Sequence, residues 1–547
     1  MSELETPSAG SNQPVAPVFV RNSSGLVRAL GLRDAFVLNF GYTGAAFSVS
    51  FAFMISQALW AYPNGEIGLA QVLSLILFLP GMVLVYALMS AAMPRAGGDY
   101  IYISRLISPV LGFVANFGVM MMLTFFVAWG AYWGGAQSLS TVLATLGHSL
   151  PSHGLVSAST WMTGKTGSFV VSLVIILIFG AFVMRGMRFF AKINLAFLAV
   201  GFVGMVVALV VMGVVSHATF VSNFNGFMTA FTTNHDYYHT IISRAQASGV
   251  PLSGFSFAAT ISLLPIIAFQ FLPVYASAYV GGEVKHARRT QLISMPMALV
   301  ALTILNLIVY YLLQKLVSGA FLRSVNSDYY NGQLSELPLL PFFNVFAINA
   351  TGNAVLQVVI GIGYMALTVL FIPMNMVVCT RMVFAWAFDG VLPTKVADVD
   401  ERTGSPIYAI ALVVLLAIGF LVVLIYTTWL STLSGIAGVL PAVILACCAA
   451  ILLPLRKKSL FESSSIASYR FLGMPLVVVA GVVGAVYVTI ILVAYLTNSL
   501  YLVNSTSSLE WDGGIFVVGF LIFGISWFGR RMSGVKLEQA YKEIPPA

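Results

Sequence analysis

Long apolar runs separated by short polar segments set the pattern of the whole chain. Residues 171–182, 195–215 and 475–493 are typical of these runs. Runs of about 20 residues match the ~30 Å hydrocarbon core of a bilayer. The pattern predicts twelve membrane-spanning helices, numbered here as spans one to twelve, at about residues 34–60, 68–91, 107–145, 168–184, 189–215, 256–281, 292–317, 353–388, 405–427, 431–454, 472–498 and 512–531.

Composition agrees with this pattern. Hydrophobic residues make up 59% of the 547 residues and charged residues only 8%, whereas a soluble domain carries roughly 25% charged residues. The sequence therefore predicts an all-α polytopic membrane protein. The first 30 residues lack an apolar segment, so we expect a disordered cytosolic tail there rather than a cleaved signal peptide.

Positive charges are distributed unevenly between the predicted loops. If both termini face the cytosol, all but four of the 26 Lys and Arg residues lie on the cytosolic side; the exceptions are Lys165, Arg244, Lys315 and Arg323. This bias follows the positive-inside rule. We therefore expect an integral cell membrane protein with cytosolic N and C termini. No basic stripe with interleaved aromatic residues indicates nucleic-acid binding.

Two loops, at about residues 216–255 and 318–352, are long and fall on the external side of this topology. We interpret them as solvated caps with short helices, and a lid is the alternative. His235, Asp236 and His239 have ligand-like spacing there, but no fourth ligand lies at a fitting distance. No catalytic cluster is evident either. The sequence predicts neither an enzyme nor a bound metal or cofactor, and it leaves coupling to H⁺ or Na⁺ open.

Spans one and six each contain residues that interrupt a helix. Residues 39–44 of span one (NFGYTG) include two glycines, and span six contains Gln270 and Pro273. Proline removes one helical hydrogen-bond donor. Spans one and six lie five apart, as the paired broken helices of a five-plus-five inverted repeat do. Such half-helix ends can hold a carboxylate and an ammonium group without charged side chains. Simple packing kinks are the alternative, since Gly and Pro are common in membrane helices.

Four motifs then narrow the family. They are residues 32–35 (LRDA), 94–102 (PRAGGDYIY), 282–285 (GEVK) and 387–393 (AFDGVLP), the last followed by Gly404-Ser405-Pro406. Together they resemble the amino acid–polyamine–organocation transporter superfamily over roughly residues 30 to 460. The resemblance implies a leucine-transporter-like fold of two inverted five-helix repeats plus two C-terminal helices.

The implied organisation is as follows: an N-terminal tail at 1–30, a first repeat at 31–217, an extracellular loop at 218–255, a second repeat at 256–454, two additional helices at 455–531 and a cytosolic tail at 532–547. The resemblance also implies substrate contacts from these residues: Gly41, Tyr42, Thr43, Gly44, Ala45, Ala268, Phe269, Gln270 and Phe271. Phe269 or Phe271 would form part of an aromatic gate, and core packing is the alternative. The chain departs from the family in having fewer glycines in span one and Pro273 in place of a glycine in span six.

Six further residues are candidates for ion contact or gating. Thr368 and Asn375 are polar groups within span eight that could contact an ion or the substrate, although each could instead bond its own helix backbone. The gate candidates lie at the cytosolic edge: Arg95, Glu283, Arg381 and Asp389. We expect Glu283 to sit beside Lys285 and Arg289, and Asp389 to lie level with Arg381. Structural surface pairs are the alternative.

The sequence thus predicts a secondary active transporter that moves amino acids by alternating access. None of the 18 acidic residues falls mid-span, which favours a neutral amino acid over a polyamine and leaves no evident carboxylate for proton transfer. An ion-independent amino acid exchanger is the first alternative, and a non-transporting amino acid sensor is an alternative of a different class. Substrate identity, coupling ion and oligomeric state stay open.

Overall fold

A computed structural model describes residues 26, 28–43, 48–229, 232–333, 342–427, 436–533 and 541, and most of them are helical. The first helices are α1 (Leu32–Tyr42), α2 (Val49–Ala61), α3 (Ile67–Phe78), α4 (Leu84–Ala92), α5 (Asp99–Leu106), α6 (Pro109–Trp129), α7 (Ser138–Ser149), α8 (His153–Thr163), α9 (Lys165–Met184), α10 (Met187–Val214), α11 (His217–Met228) and α12 (Tyr237–Ala247).

The remaining α-helices are α13 (Phe257–Ser262), α14 (Leu264–Phe271), α15 (Ala287–Val317), α16 (Gly319–Tyr330), α17 (Phe343–Asn349), α18 (Ala354–Val369), α19 (Phe371–Phe388), α20 (Ile407–Tyr426), α21 (Ile436–Arg456), α22 (Lys458–Ser463), α23 (Leu476–Thr497) and α24 (Thr506–Met532). Strands β1 (Arg470–Phe471) and β2 (Met474–Pro475) form a two-stranded antiparallel hairpin. Two π-helical turns, Leu79–Val83 and Gly130–Gln137, join α3 to α4 and α6 to α7. The 3₁₀ turns are Leu272–Ala278, Gly281–Glu283, Thr394–Ala397 and Ser499–Tyr501.

Eleven helices within the described ranges are long and apolar enough to cross a membrane. They cover the predicted spans two to twelve, because an apolar run fixes where a membrane helix can lie. This confirms the prediction of an all-α polytopic membrane protein. Span one differs, because its apolar run contains two shorter helices, α1 and α2, separated by residues 43–48.

The surfaces of these helices are those of a protein in lipid. Large apolar side chains face outward on many spanning helices, among them Val214, Ile304 and Leu415. Polar side chains are buried instead, and Asn39 and Asn306 are fully inaccessible. Lipid tails offer no hydrogen bonds, so polar groups at membrane depth must find partners inside the bundle.

The loops expected outside the membrane contain short helices. Helices α11 and α12 lie in the first loop, and α16 and α17 lie in the described part of the second. The two loops are in contact, because Tyr238 of α12 stacks on Phe321 of α16 with ring centroids 4.4 Å apart. The short helices expected in these loops are therefore present in the described residues, and the role of the loops as caps stays a prediction.

Acidic residues that lie at span ends or in connectors can nevertheless be buried in the bundle. Helix α24 begins at Thr506, so Asp512 lies nearly two turns inside it and is buried. Asp99 at the start of α5 is fully inaccessible. Both were assigned to span ends or connectors because sequence position alone does not reveal which groups the bundle encloses.

Candidate functional site

Span one is interrupted at the predicted place. Helix α1 ends at Tyr42 and α2 begins at Val49, while the predicted contacts Gly44 and Ala45 lie outside the described residues. The first N–H groups of a helix have no partner within it. The Val49 N–H donates to the Thr368 hydroxyl of α18 at 3.2 Å, and that hydroxyl donates to the Tyr364 carbonyl of its own helix at 2.9 Å.

Span six changes from an α-helix to a 3₁₀ turn without a gap between them. Helix α14 ends at Phe271, and the chain continues as the 3₁₀ turn Leu272–Ala278, which contains Pro273. Tyr275 leaves helical geometry there with φ −101° and ψ 19°. Because proline has no N–H and clashes with the preceding turn, it disfavours a regular α-helix at this point.

The two irregular stretches meet through one side chain. Asn39 of α1 accepts a hydrogen bond from the Ser277 N–H at 2.8 Å and donates to the Ser294 hydroxyl of α15 at 3.2 Å. Gln291 of α15 makes two further hydrogen bonds to Ser277. Its side-chain oxygen accepts from the Ser277 hydroxyl at 2.5 Å, and its side-chain nitrogen donates to the Ser277 carbonyl at 2.9 Å. Polar groups released by the 3₁₀ turn are thus bonded by side chains from α1 and α15.

A cavity lies beside these stretches, and it encloses about 420 Å³ when the solvent-open space at its mouth is included. Its wall is almost wholly apolar, and the only lining residues with a hydroxyl are three tyrosines. Lining residues come from α1, α6, span six and α21: Tyr42, Val119, Met122, Leu123, Phe126, Phe269, Leu272, Pro273, Tyr275, Tyr279 and Val439. Of the residues predicted to contact substrate, Tyr42 and Phe269 line this cavity.

Aromatic rings form one side of the cavity. Phe126 meets Phe269 with ring centroids 5.8 Å apart and meets Phe371 at 5.6 Å. Tyr42 lies 5.8 Å from Phe371, and its hydroxyl donates to the Asn375 side-chain oxygen at 3.0 Å. Asn375 in turn donates to the Phe371 carbonyl at 2.8 Å. Asn375 therefore orients a cavity-lining tyrosine and also satisfies its own helix.

Other predicted contacts point elsewhere. Gln270 exchanges hydrogen bonds with Asn306 of α15, and the shorter one, from the Asn306 amide, measures 2.9 Å. Asn306 also donates to Gln71 of α3 at 3.0 Å. Phe271 packs edge-on against Phe78, with centroids 5.8 Å apart.

The remaining predicted contacts are packed into the bundle. Ala268 is inaccessible. Thr43 bonds the Phe40 carbonyl at 2.6 Å. At Gly41 an added Cβ would lie 2.7 Å from the Met374 methyl group, so α1 and α19 are in close contact there. These side chains shape the helices around the cavity without lining it.

Five buried charged side chains lie towards the Tyr279 end of span six, and we call them the charged face: Asp99, Arg105, Glu283, Arg381 and Asp389. Arg381 forms a two-pronged ion pair with Glu283, with Nε donating to Oε1 at 2.6 Å and Nη2 to Oε2 at 3.3 Å. Arg105 pairs with Asp389 at 2.6 Å. The expected pairings, Glu283 beside Lys285 and Asp389 level with Arg381, are replaced by long-range pairs between different helices.

Arg95, the fourth gate candidate, lies at the edge of the charged face and is only partly buried. Burial lowers the pKa of its guanidinium, and the nearby Arg28 lowers it further. Its guanidinium donates to the Pro94 carbonyl at 3.0 Å. The connector that carries Arg95 pairs with the end of span six, since Gly97 N–H donates to the Tyr279 carbonyl at 2.9 Å.

Asp99 has a different environment from the two ion pairs. Its carboxylate accepts hydrogen bonds from Asn116 at 2.6 Å, Tyr279 at 2.9 Å and Tyr86 at 3.1 Å. Among the described residues no Lys or Arg pairs with it. Burial raises the pKa of Asp99 to about 6, and the three hydrogen bonds oppose that rise.

Gly98 permits this arrangement. It has φ +55°, and a Cβ there would lie 2.6 Å from the Tyr279 ring. A side chain would therefore be strained by the backbone conformation and would also overlap the ring. The glycine lets Tyr279 lie against the connector, with its hydroxyl directed at Asp99.

Sequence reasoning missed several of the groups that build this region, notably Asn39, Asp99, Asn116, Ser277 and Tyr279. One signal was present at Asp99. It opens the stretch DYIYISRL of residues 99–106, where aromatic and apolar residues surround it, whereas an exposed aspartate would have polar neighbours. The partners of Asn39 and Ser277 lie on distant parts of the chain and left no local trace.

Two comparisons with known proteins bear on this site. The amino acid permease family matches residues 30–527. The branched-chain amino acid permease BcaP of Lactococcus lactis subsp. cremoris (strain MG1363) is 25% identical over 325 residues. That alignment covers 59% of this chain and 61% of the relative, so the chain spans less than two thirds of the curated protein it matches.

Proposed function

The chain belongs to the amino acid permease family, and we propose that it carries neutral amino acids of medium to large size across the membrane by alternating access. The family is one of membrane transporters and not of enzymes, in agreement with the prediction from the sequence. The observation that carries the proposal is the apolar cavity bounded by the interrupted spans one and six.

The cavity wall supports a neutral substrate with an apolar side chain. Its lining residues include five aromatic rings and no charged group. A substrate with a cationic or anionic side chain would lose its hydration on entering the cavity and would find no opposite charge there. This loss is costly in a low-dielectric interior. The relative BcaP is named for branched-chain amino acids, and an isobutyl or similar side chain suits the same apolar surface.

The backbone supports recognition of the zwitterion. Helix α2 begins at Val49, and the N-terminal end of a helix favours a carboxylate through its free N–H groups and dipole. Carbonyls around the tightened stretch of span six would hold the ammonium group. These elements fit twelve crossings in a five-plus-five inverted repeat, with α1 and α2 together making the first crossing.

The charged face supports a gate on the cytosolic side. Its two ion pairs join span six to α19 and α5 to the end of α19. With cytosolic termini, as the positive-inside rule favours, these pairs close the inner end of the cavity. Opening toward the cytosol would then require that they separate or move together with their helices.

Transport by the purified protein in liposomes tests the proposal. Liposomes preloaded with unlabelled L-leucine should take up labelled L-leucine by exchange, and related neutral amino acids should compete. Protein-free liposomes are the control. A broad amino acid panel that gives no exchange with folded protein contradicts the proposal. Removing sodium and then collapsing the proton gradient separates coupled transport from simple exchange.

A further inference from the structure

We propose that Asp99 is the binding site for a proton that moves with the substrate, and that its protonation releases a bond network holding span six to α4 and α6. The proposal rests on the proposed transport function. It assigns a chemical role to a buried group that lies next to the substrate cavity without lining it.

Asp99 is within one hydrogen bond of the cavity. Tyr279 lines the cavity and donates to Asp99 at 2.9 Å. The Tyr279 hydroxyl therefore links the carboxylate to a residue of the cavity wall through a single hydrogen bond. Asp99 takes the Tyr279 hydroxyl proton, and Tyr279 takes one from a hydronium ion that enters the cavity and becomes water, so the tyrosine ends neutral and the carboxyl gains one proton.

The surroundings of Asp99 allow its charge to change. The titratable groups facing it are Tyr86 of α4, Tyr102 of α5, Tyr275 and Tyr279 of span six, and Cys447 of α21 beyond Tyr86 and Tyr275. None of these is a cation. The nearby Arg105 is already paired with Asp389 at 2.6 Å. A pKa of about 6, raised by burial, makes Asp99 mostly ionised at neutral pH and mostly protonated near pH 5.

Protonation changes which hydrogen bonds the Asp99 carboxyl can make. The ionised carboxylate accepts from Tyr86 and Tyr279 at the same oxygen and from Asn116 at the other. Once that shared oxygen carries a proton, it donates one bond and can no longer accept both tyrosines. At least one tyrosine must reverse its hydroxyl to accept from the carboxyl, or turn away, and the bonds that remain are weaker because the carboxyl is no longer charged. Because Tyr86 belongs to α4 and Tyr279 to span six, the link between these elements weakens when the proton binds.

The test uses purified protein in liposomes with the membrane potential clamped at zero, with L-leucine as the probe and a pH-sensitive dye inside. The medium is at about pH 5.5 and the lumen at about pH 7.5. A gradient of about two pH units supports up to ~100-fold accumulation if one proton accompanies each substrate, since each unit is worth about 1.4 kcal/mol. Wild type should accumulate L-leucine and acidify the lumen as it does so.

In D99N, we expect gradient-driven accumulation and acidification to be lost while L-leucine exchange at equal pH continues. D398N is the matched control, because Asp398 is an exposed carboxylate on the loop after α19, and it should behave like wild type. Accumulation and acidification by D99N at wild-type levels overturn the proposal. Wild-type exchange without proton movement also overturns it, yet leaves the proposed function standing. Folded wild type that exchanges no amino acid contradicts the proposed function itself.

A second variant covers the case in which D99N does not fold. Y86F removes one donor to the ionised carboxylate and so raises the pKa of Asp99 further. The pH at which uptake is half-maximal should therefore move upward in Y86F. An unchanged pH profile overturns the proposal, because a merely structural aspartate has no influence on it.

Discussion

The apolar cavity and the charged face share Tyr279 as a common border, yet they are built in opposite ways. The cavity is lined by aromatic and other apolar residues, and the only hydroxyl-bearing ones are three tyrosines. The charged face buries five ionisable groups in two ion pairs and one network in which neutral donors bond the Asp99 carboxyl. Apolar packing tolerates changes of shape, whereas buried charges depend on one arrangement. We infer that the cavity sets which substrate is accepted and the charged face sets when it is released.

The largest effect should follow from breaking a buried ion pair. R381A leaves the Glu283 carboxylate buried without its cation, which costs about 3–5 kcal/mol. Arg33 forms a pair with Asp34 at 3.7 Å in which the arginine side chain is 73% exposed, so R33A should change stability by less than about 0.5 kcal/mol. Thermal unfolding of the two purified variants measures the difference. If R381A and R33A were equally stable, the buried ion pair of the charged face would contribute no more to stability than the exposed pair does.

The next effect concerns the contact that places Tyr279. G98A should lose about 1–3 kcal/mol from its left-handed backbone and more from overlap with the Tyr279 ring. Gly404 also has a positive φ, +67°, but nothing lies within 4 Å of its added Cβ. G404A therefore controls for backbone strain alone. If G98A is no less stable than G404A, the close approach of Tyr279 to the connector is refuted.

A smaller loss is expected where span one restarts. T368V leaves the Val49 N–H without its acceptor, at a cost of about 1–3 kcal/mol. Thr427 makes the same bond to its own helix but is exposed, and it accepts no bond from another helix within the described part of the chain. T427V should lie within about 0.5 kcal/mol of wild type. Comparable losses in chemical unfolding of both variants would show that Thr368 does not support the break.

The smallest effect should separate two neighbours in span six. F269L shortens a side chain that lines the cavity, so affinity for L-leucine should fall about tenfold, or roughly 1.4 kcal/mol. Q270L alters a side chain bonded to Asn306 outside the cavity, so its affinity should stay near wild type while its stability falls. Binding measured by titration calorimetry checks both. The reverse ranking would mean that the amide, not the ring, contacts the substrate.

Much of this architecture could be predicted because membrane helices need continuous apolar runs of a set length. Ends such as those of α9 and α20 lie within a few residues of the predicted ones. The interruption after Tyr42 followed from local glycines and that near Pro273 from its missing N–H. Which way Gln270 points could not be predicted, since the rotation of a helix depends on its neighbours, here Asn306 and Gln71.

The charged face was the least predictable region for the same reason. Glu283 and Arg381 are separated by 98 positions and Arg105 and Asp389 by 284, so local spacing suggested other partners. The burial of Asp99 depends on Tyr86, Asn116 and Tyr279, which come from three different elements. Only the folded bundle brings them together.

The central claim is that one pocket between spans one and six holds the amino acid. Electron cryo-microscopy of the protein in nanodiscs with L-leucine tests it most directly. We expect density for the carboxylate near the start of α2 and for the isobutyl group against Phe269 and Phe126. A continuous helix through residues 42–49, or L-leucine bound away from this cavity, would contradict the account.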